Sequence, residues 1–329
     1  RKTTRDLLLD ASLPFSSGYY SATKNIGKVR NDGLELSLNT VNFQTRAFKW
    51  TTNFNISFNK NKVLALSENQ TALLTAAQFD QNYNGQSSYI AKVGLPMGLM
   101  YGYVYEGTYK YDDFNKSGNS YSLKPGVPHY STETNTQPGM PKYADLNGDG
   151  VVDSNDRTII GRGLPIHTGG FTNNFEYKGI DLSVFFQWSY GNDIMNANRL
   201  FFENSNKTRD LNQYASYADR WTPENPESNI PRATDSGSNK VFSTRIIEDG
   251  SFLRLKTVSL GYTLPKQLTK KWKIDNARVF VAGQNLWTCT GYSGYDPEVS
   301  IREGALTPGL DFSAYPRAYS ISFGINLGF

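Results

Sequence analysis

The 329-residue chain is poor in the residues that usually carry chemistry. It has one cysteine, Cys289, so no internal disulfide can form and a disulfide scaffold is excluded. It has two histidines, His129 and His167, with no His-x-His or His-x3-His spacing. A catalytic zinc or a Ser–His–Asp arrangement is therefore not expected. No P-loop, G-x-G-x-x-G or G-x-S-x-G motif occurs. Charged residues make up 19% and the net charge is +4, with no Lys/Arg run. That argues against nucleic acid as a partner. No stretch of 18 apolar residues exists, which excludes a transmembrane helix. It does not exclude a membrane, because a barrel strand needs only about 9–11 residues of alternating character. The opening "RKTTRDLLLD" has neither the apolar core nor the cleavage site of a signal peptide. It reads as the middle of a strand, and the chain is expected to be the C-terminal piece of a longer molecule.

What is abundant is aromatic residues, at 14%, together with 29 glycines. The apolar residues alternate. "GLELSLNT" puts Leu34, Leu36 and Leu38 on one face, and "FKWTTNFNISFN" does the same with Phe48, Trp50, Phe54, Ile56 and Phe58. In "FTNNFEYKGIDLSVFFQW", a two-residue turn at Lys178-Gly179 predicts Tyr177 opposite Ile180, Phe175 opposite Leu182 and Phe171 opposite Phe186. One face of that hairpin is then apolar, with Asn173 and the inward Phe185 as exceptions. In "FLRLKTVSLGY" the phase shifts between Leu253/Leu255 and Val258/Leu260/Tyr262, as a bulge would cause. "ARVFVAGQNLW" is apolar on both faces, so its orientation stays open.

The pattern predicts about ten strands, near residues 3–10, 28–40, 47–60, 87–94, 98–109, 170–177, 180–190, 251–262, 277–288 and 319–329. Short connections (41–46, 95–97, 178–179, 263–276) alternate with long ones (11–27, 61–86, 110–169, 191–250, 289–318). A soluble sandwich has no reason to sort its loops this way. An antiparallel transmembrane β-barrel does, with short turns in the periplasm and long loops outside. Aromatics at strand ends (Tyr177, Trp188, Tyr190, Tyr262, Trp287, Tyr319 and Phe329) fit interfacial girdles. The closing "YSISFGINLGF" sets Tyr319, Ile321, Phe323, Ile325, Leu327 and Phe329 toward lipid. An alternative of another class is a soluble secreted β-protein binding glycans through aromatic loops. A third, a barrel hydrolase, lacks a visible nucleophile and base.

One segment could hold a metal. "DLNGDGVVDSND" matches the calcium-loop order D-x-[DN]-x-[DN]-G. Oxygen ligands would come from Asp145, Asn147, Asp149, the Val151 carbonyl, Asp153 and Asp156, with Asp156 replacing the usual closing Glu. The expected role of Ca2+ is to order a long outer loop. The other reading is an Asp/Asn/Gly turn that needs no metal. Loop aromatics (Tyr111, Tyr130, Tyr214, Trp221, Tyr292 and Tyr295) could stack on a ligand or pack the loops together, and packing is the expected role.

Several strings, "NIGKVRNDGLELSLNT", "VGLPMGLMYGYVYEGTY", "DLNGDGVVDSNDRTIIG", "TGGFTNNFEYKGIDLSVFFQWSYGNDI" and "VFVAGQNLWTCTGYSGYDPEV" among them, resemble the C-terminal part of the SusC/RagA family of TonB-linked outer-membrane transporters. The resemblance runs in order through nearly the whole chain. It implies part of a larger plugged barrel, import of oligosaccharides or peptides, a SusD-like lipoprotein lid and energy from the TonB complex. The plug and the first strands would lie outside this chain. It implies no catalytic residues. A terminal aromatic after such a closing strand also resembles the signal read by the barrel-assembly machinery, the role expected of Phe329.

Overall fold

The computed structural model describes residues 1–12, 21–66, 70–80, 83, 85–133, 135–204, 211–233, 240–301 and 304–329, with side chains omitted for 6–12 and 21–26. Of the connection expected at 11–27, residues 13–20 thus lie outside the described residues. Eight strands form one antiparallel sheet: β1 (Lys2–Ser12), β2 (Ser21–Gln44), β3 (Phe48–Ala65), β4 (His167–Tyr177), β5 (Ile180–Tyr190), β6 (Phe252–Thr263), β7 (Asn276–Thr290) and β8 (Ser320–Gly328). They lie in chain order, each paired with its predecessor, and β1 and β8 are the edges.

The β4–β5 hairpin has the predicted register, Tyr177 opposite Ile180, Phe175 opposite Leu182 and Phe171 opposite Phe186. Its turn works because Lys178 (φ +47°) and Gly179 (φ +88°) both take the left-handed region that a two-residue turn of this hand requires. The phase shift in β6 is a bulge: Phe185 faces Thr257 and Phe186 faces Leu255, which leaves Lys256 as the extra residue.

The apolar face decides what surrounds the sheet. In a sandwich a second sheet would cover it. Here it is bare: Leu34, Leu36, Leu38, Ile180, Leu260 and Trp287 are 45–58% exposed. The described residues provide no second layer over it. The 11 residues of β4 span about 36 Å, which rises about 28 Å at a tilt of roughly 40°. That matches the apolar band of an outer-membrane barrel, about 25 Å tall. Exposed aromatics border the band at both ends, with Tyr177, Tyr262 and Phe329 at the short-turn end and Tyr190, Trp287 and Tyr319 at the long-loop end. Trp188, expected in the same girdle, is only half-buried; its Nε1 donates to His167 Nδ1 at 3.1 Å.

The two exceptions on the β4–β5 hairpin have local causes. Asn173 stands on the apolar face, and its Oδ1 accepts from Trp50 Nε1 (3.0 Å) and Thr52 Oγ1 (2.7 Å). Its carbonyl is thereby satisfied without water, as a group against lipid must be. Phe185 turns to the opposite face, where its ring covers Gly170 on β4. Phe280 covers Gly324 on β8 in the same way. This settles the doubly apolar "ARVFVAGQNLW": Val279 and Val281 face outward, opposite Tyr262 and Leu260, and Phe280 fills the space left by a side-chain-less neighbour.

The strands expected at 87–94 and 98–109 do not join this sheet. They are Ser87–Lys92 and Leu99–Gly102, followed by Tyr105–Thr108, all in a cap above the long-loop end. The first two pair with Ala72–Ala76 and Thr158–Arg162 in a separate four-stranded sheet. At four to six residues they are too short to span a bilayer. They are also buried on both faces, with Tyr89 and Met100 fully enclosed. Removing two strands leaves the parity intact. The short connections become 45–47, 178–179 and 264–275, and the loop between β3 and β4 runs over 66–166.

The apolar core therefore sits in the cap and not in the sheet. Tyr89, Met100, Met195, Leu200, Phe242, Ile246 and Leu310 form its main cluster, drawn from three long loops. Asp193–Asn196, Ile247–Asp249 and Leu310–Asp311 form a three-stranded sheet that ties those after β5 and β7 together.

Candidate functional site

The loops after β5 and β7 enclose two adjoining clefts of about 620 and 540 Å3. Tyr214 and Tyr295 line both of them. The backbone fixes Tyr214, whose N–H donates to the Phe202 carbonyl at 2.9 Å, and its ring packs on Phe202 at 5.4 Å. Burial, with help from the Asp311 carboxylate, pushes its hydroxyl up to about 12. It remains a neutral donor at physiological pH. Tyr295 and Tyr315 are 83% and 91% exposed at the cleft mouth.

The floor is charged but internally neutralised. Glu203 accepts from Arg199 Nε (2.9 Å), Arg245 Nη2 (3.0 Å) and Ser216 Oγ (2.9 Å). Glu248 accepts from the Ser293 N–H (2.8 Å) and from Asn196 Nδ2 (3.0 Å). Tyr292 Oη donates to Asp311 Oδ2 at 2.6 Å, and burial together with that carboxylate holds the phenol protonated. A site of this kind presents aromatic faces and amide groups over a rigid polar floor. It suits stacking and hydrogen bonding with a bulky ligand. Neither histidine lines it: His129 lies in the short strand His129–Tyr130, and His167 lies in β4 against Phe58 and Tyr190.

Of the six loop aromatics considered from sequence, most pack. Trp221 and Tyr292 are buried, Tyr111 lies against Trp221, and Tyr130 lies against Tyr103 and Tyr143. Tyr295 is the free one, and Tyr214 is half free. Tyr315 was missed because nothing in "SAYPRAYS" separates a cleft tyrosine from an ordinary loop residue.

The acidic loop keeps its predicted members together. Asp145 accepts from the N–H groups of Gly148 and Gly150, both at 2.7 Å. Those backbone bonds, led by Gly150 and opposed by some desolvation, hold its carboxyl below the usual range. Asn147 and Asp149 accept from Asp149 and Val151 N–H, and Asp153 from Asn155 N–H. Asp156 is buried and accepts from the N–H groups of Leu146, Asn147 and Asp153. Gly148 and Gly150 have φ near +80°, which permits the sharp turn. Among the described residues no three His, Cys, Asp or Glu side chains gather as a metal-holding group. The carboxylates of this loop cap backbone amides. Asp156→Ala strands three donors, at about 1–3 kcal/mol, and is expected to open residues 145–156 to protease while heat-modifiable mobility on gels stays normal.

No family model matches the chain. It is 34% identical over 333 residues to TonB-dependent receptor P3 of Formosa agariphila, which covers 99% of this chain and 31% of that protein. It is 26% identical to TonB-dependent receptor SusC of Bacteroides thetaiotaomicron, over 100% of this chain and 29% of SusC. Its fold superposes on the RagAB peptide transporter with a TM-score of 0.78 and 25% identity, over 99% of this chain and 32% of that one. Over nearly its whole length this chain is similar to one segment of the TonB-dependent receptors, SusC included. It spans about a third of the length of the receptors it matches.

In a SusC/RagA barrel the face opposite the apolar band lines the lumen. On that face Arg278 of β7 reaches across Gly261 to Asp181 of β5, with Nη2 to Oδ2 at 2.5 Å; a side chain at Gly261 would occupy the guanidinium's path. Higher up, the buried Arg254 of β6 meets Asp296 at 2.5 Å and Glu298 at 3.3 Å, both in the loop after β7. Burial opposes ionisation of Asp296, but Arg254 and the N–H groups of Glu298 and Arg317 outweigh it and hold its carboxyl below the usual range. This contact moors the cleft loop to the barrel wall one residue from Tyr295.

Proposed function

We propose that the complete molecule is a TonB-dependent importer of the Gram-negative outer membrane. Its cargo would be a bulky nutrient, an oligosaccharide or a peptide. This chain supplies a sector of barrel wall and three of the outward loops. The observation that carries the reading is the uncovered apolar face of the eight-stranded sheet, bounded at both ends by aromatics. It also counts against the soluble glycan-binding alternative, because water would meet that face directly. Similarity over nearly the whole of this chain to receptors with TonB in their names supports the energy source, and the match to RagAB supports pairing with a SusD-like lipoprotein over the cap. Contact with TonB would be made by parts of the molecule beyond this chain.

Cargo would touch the Tyr214–Tyr295–Tyr315 cleft. Replacing Tyr295 and Tyr315 with Ala in the full-length protein removes two exposed rings and should alter folding stability by no more than about 0.5 kcal/mol each. Uptake of the nutrient identified by co-purification from outer membranes is expected to fall. Uptake at the wild-type rate would remove the cleft from the transport path.

Calcium at residues 145–156 is part of the same proposal, as a structural ion. Its support is the D-x-N-x-D-G order and the two left-handed glycines. Binding requires carboxylates that now cap amides to share their second lone pairs with the ion. Proteolysis of this loop at equal rates with and without chelator would rule the ion out.

A further inference from the structure

The turn between β6 and β7 differs from the other two short turns. It carries a one-turn helix, Lys266–Thr269, followed by a 3-10 turn, Lys270–Trp272. Four cations, Lys266, Lys270, Lys271 and Lys273, are exposed on it, and none forms an ion pair among the described residues. Between them Leu268 and Trp272 are 48% and 67% exposed. They are four residues apart, so they project from adjoining turns. Their exposure is not fraying. Thr269 is buried, the Ile274 N–H donates to the Thr269 carbonyl, and the Asp275 N–H ties the segment to Gly328 of β8. Lys273 ends the turn in the left-handed region, a conformation that costs a lysine energy and that the surrounding bonds enforce. The neighbouring turn adds a fifth cation: Lys178 lies over the ring of Tyr177, 5.2 Å from its centre, on the outward face.

A soluble turn has no need to hold a tryptophan and a leucine in the open among four unpaired lysines. A membrane surface gives both a place. Trp prefers the headgroup level, the apolar side chains enter the acyl boundary, and lysines meet phosphate. The segment directly continues the aromatic border of the apolar band at Tyr262 and Phe329.

We propose that this turn is an anchor for anionic phospholipid in the periplasmic leaflet: Trp272 and Leu268 enter the interface, and Lys266, Lys270, Lys271 and Lys273 bind the headgroup phosphates. The proposal rests on the barrel reading, which places short turns on the periplasmic side.

The test uses the full-length protein in vesicles of phosphatidylglycerol or phosphatidylcholine with bromine near the headgroup, read by tryptophan quenching. The Trp272 signal is the difference between wild type and Trp272→Phe. It is expected to be quenched, and more so in phosphatidylglycerol. Changing all four lysines to Gln should weaken retention of phosphatidylglycerol over phosphatidylcholine by several hundredfold, since each cation near an anionic surface is worth about fivefold. Inorganic phosphate should not compete; competition by it would mark a free-anion site and overturn the lipid assignment. Trp287 is the control, because it faces outward from β7 at the other border. Quenching of Trp287 without Trp272 overturns the anchor and leaves the barrel standing, as would protection of Trp272 by added peptidoglycan. Quenching of neither overturns the barrel reading itself.

Discussion

Leu38→Arg in the full-length protein is expected to destabilise the membrane-embedded barrel by about 2–4 kcal/mol. Leu38 is opposite Phe54, which is opposite Phe171, which in turn is opposite Phe186. That row lies midway along β4, so it falls near the bilayer centre, where an arginine is most costly. The residue is 58% exposed and touches no protein core. In a soluble protein the same exchange at such a site would shift stability by no more than about 0.5 kcal/mol. The two environments thus differ several-fold for one substitution. Unfolding by denaturant, followed by heat-modifiable gel mobility in lipid vesicles, measures it. Ser37→Arg, one residue away and facing the lumen, is the internal control and should be mild. A small effect at Leu38 would mean that this face does not meet lipid.

The second large effect is expected at the mooring of the cleft loop. Arg254→Ala leaves Asp296 buried without its guanidinium partner, and breaking a buried pair from one side costs about 3–5 kcal/mol. The loss falls on the loop, because Asp296 and Glu298 belong to it while the barrel strands pair independently of them. Hydrogen exchange across 291–319 should rise sharply, with β6–β7 pairing retained. Arg254→Met together with Asp296→Leu removes both charges and should recover much of the loss. The pH dependence has a definite sign. The Asp296 carboxyl is depressed below its ordinary 3.8 in the folded protein. Its contribution is therefore fully present above that value and is lost as pH falls through the lower folded value. Protection of the loop should be flat from neutral pH down to about 4 and then decline. In Asp296→Asn the decline should be blunted. An unchanged decline would assign it to other carboxylates.

The two predictions probe different halves of the molecule, and the halves differ in how legible they were. Strand positions in the wall could be read directly, because alternation is a property of neighbouring residues and a strand imposes it with period two. The Lys178-Gly179 turn fixed the register of its hairpin, and the split phase of "FLRLKTVSLGY" located a bulge. The sorting of connections into short and long survived a miscount of two strands. The miscount itself had a physical cause. "SSYIAK" and "GLMYG" are short apolar runs, and a run buried on both faces of a cap looks the same along the chain as part of a spanning strand.

The sequence by itself determined the period, the hairpin register, the bulge and the side of each loop, because local spacing dictates all of these. Only the tertiary structure decided that the apolar face is bare, since the presence or absence of a second layer depends on segments far apart in the chain. It alone assembled the cleft, which needs Arg199 and Tyr214 from one loop and Tyr295 and Tyr315 from another. It alone turned the acidic loop's carboxylates onto amides. It also separated Tyr295, which is free, from Tyr292, which is buried on Asp311: three residues apart in sequence, they differ through contacts that no local pattern records.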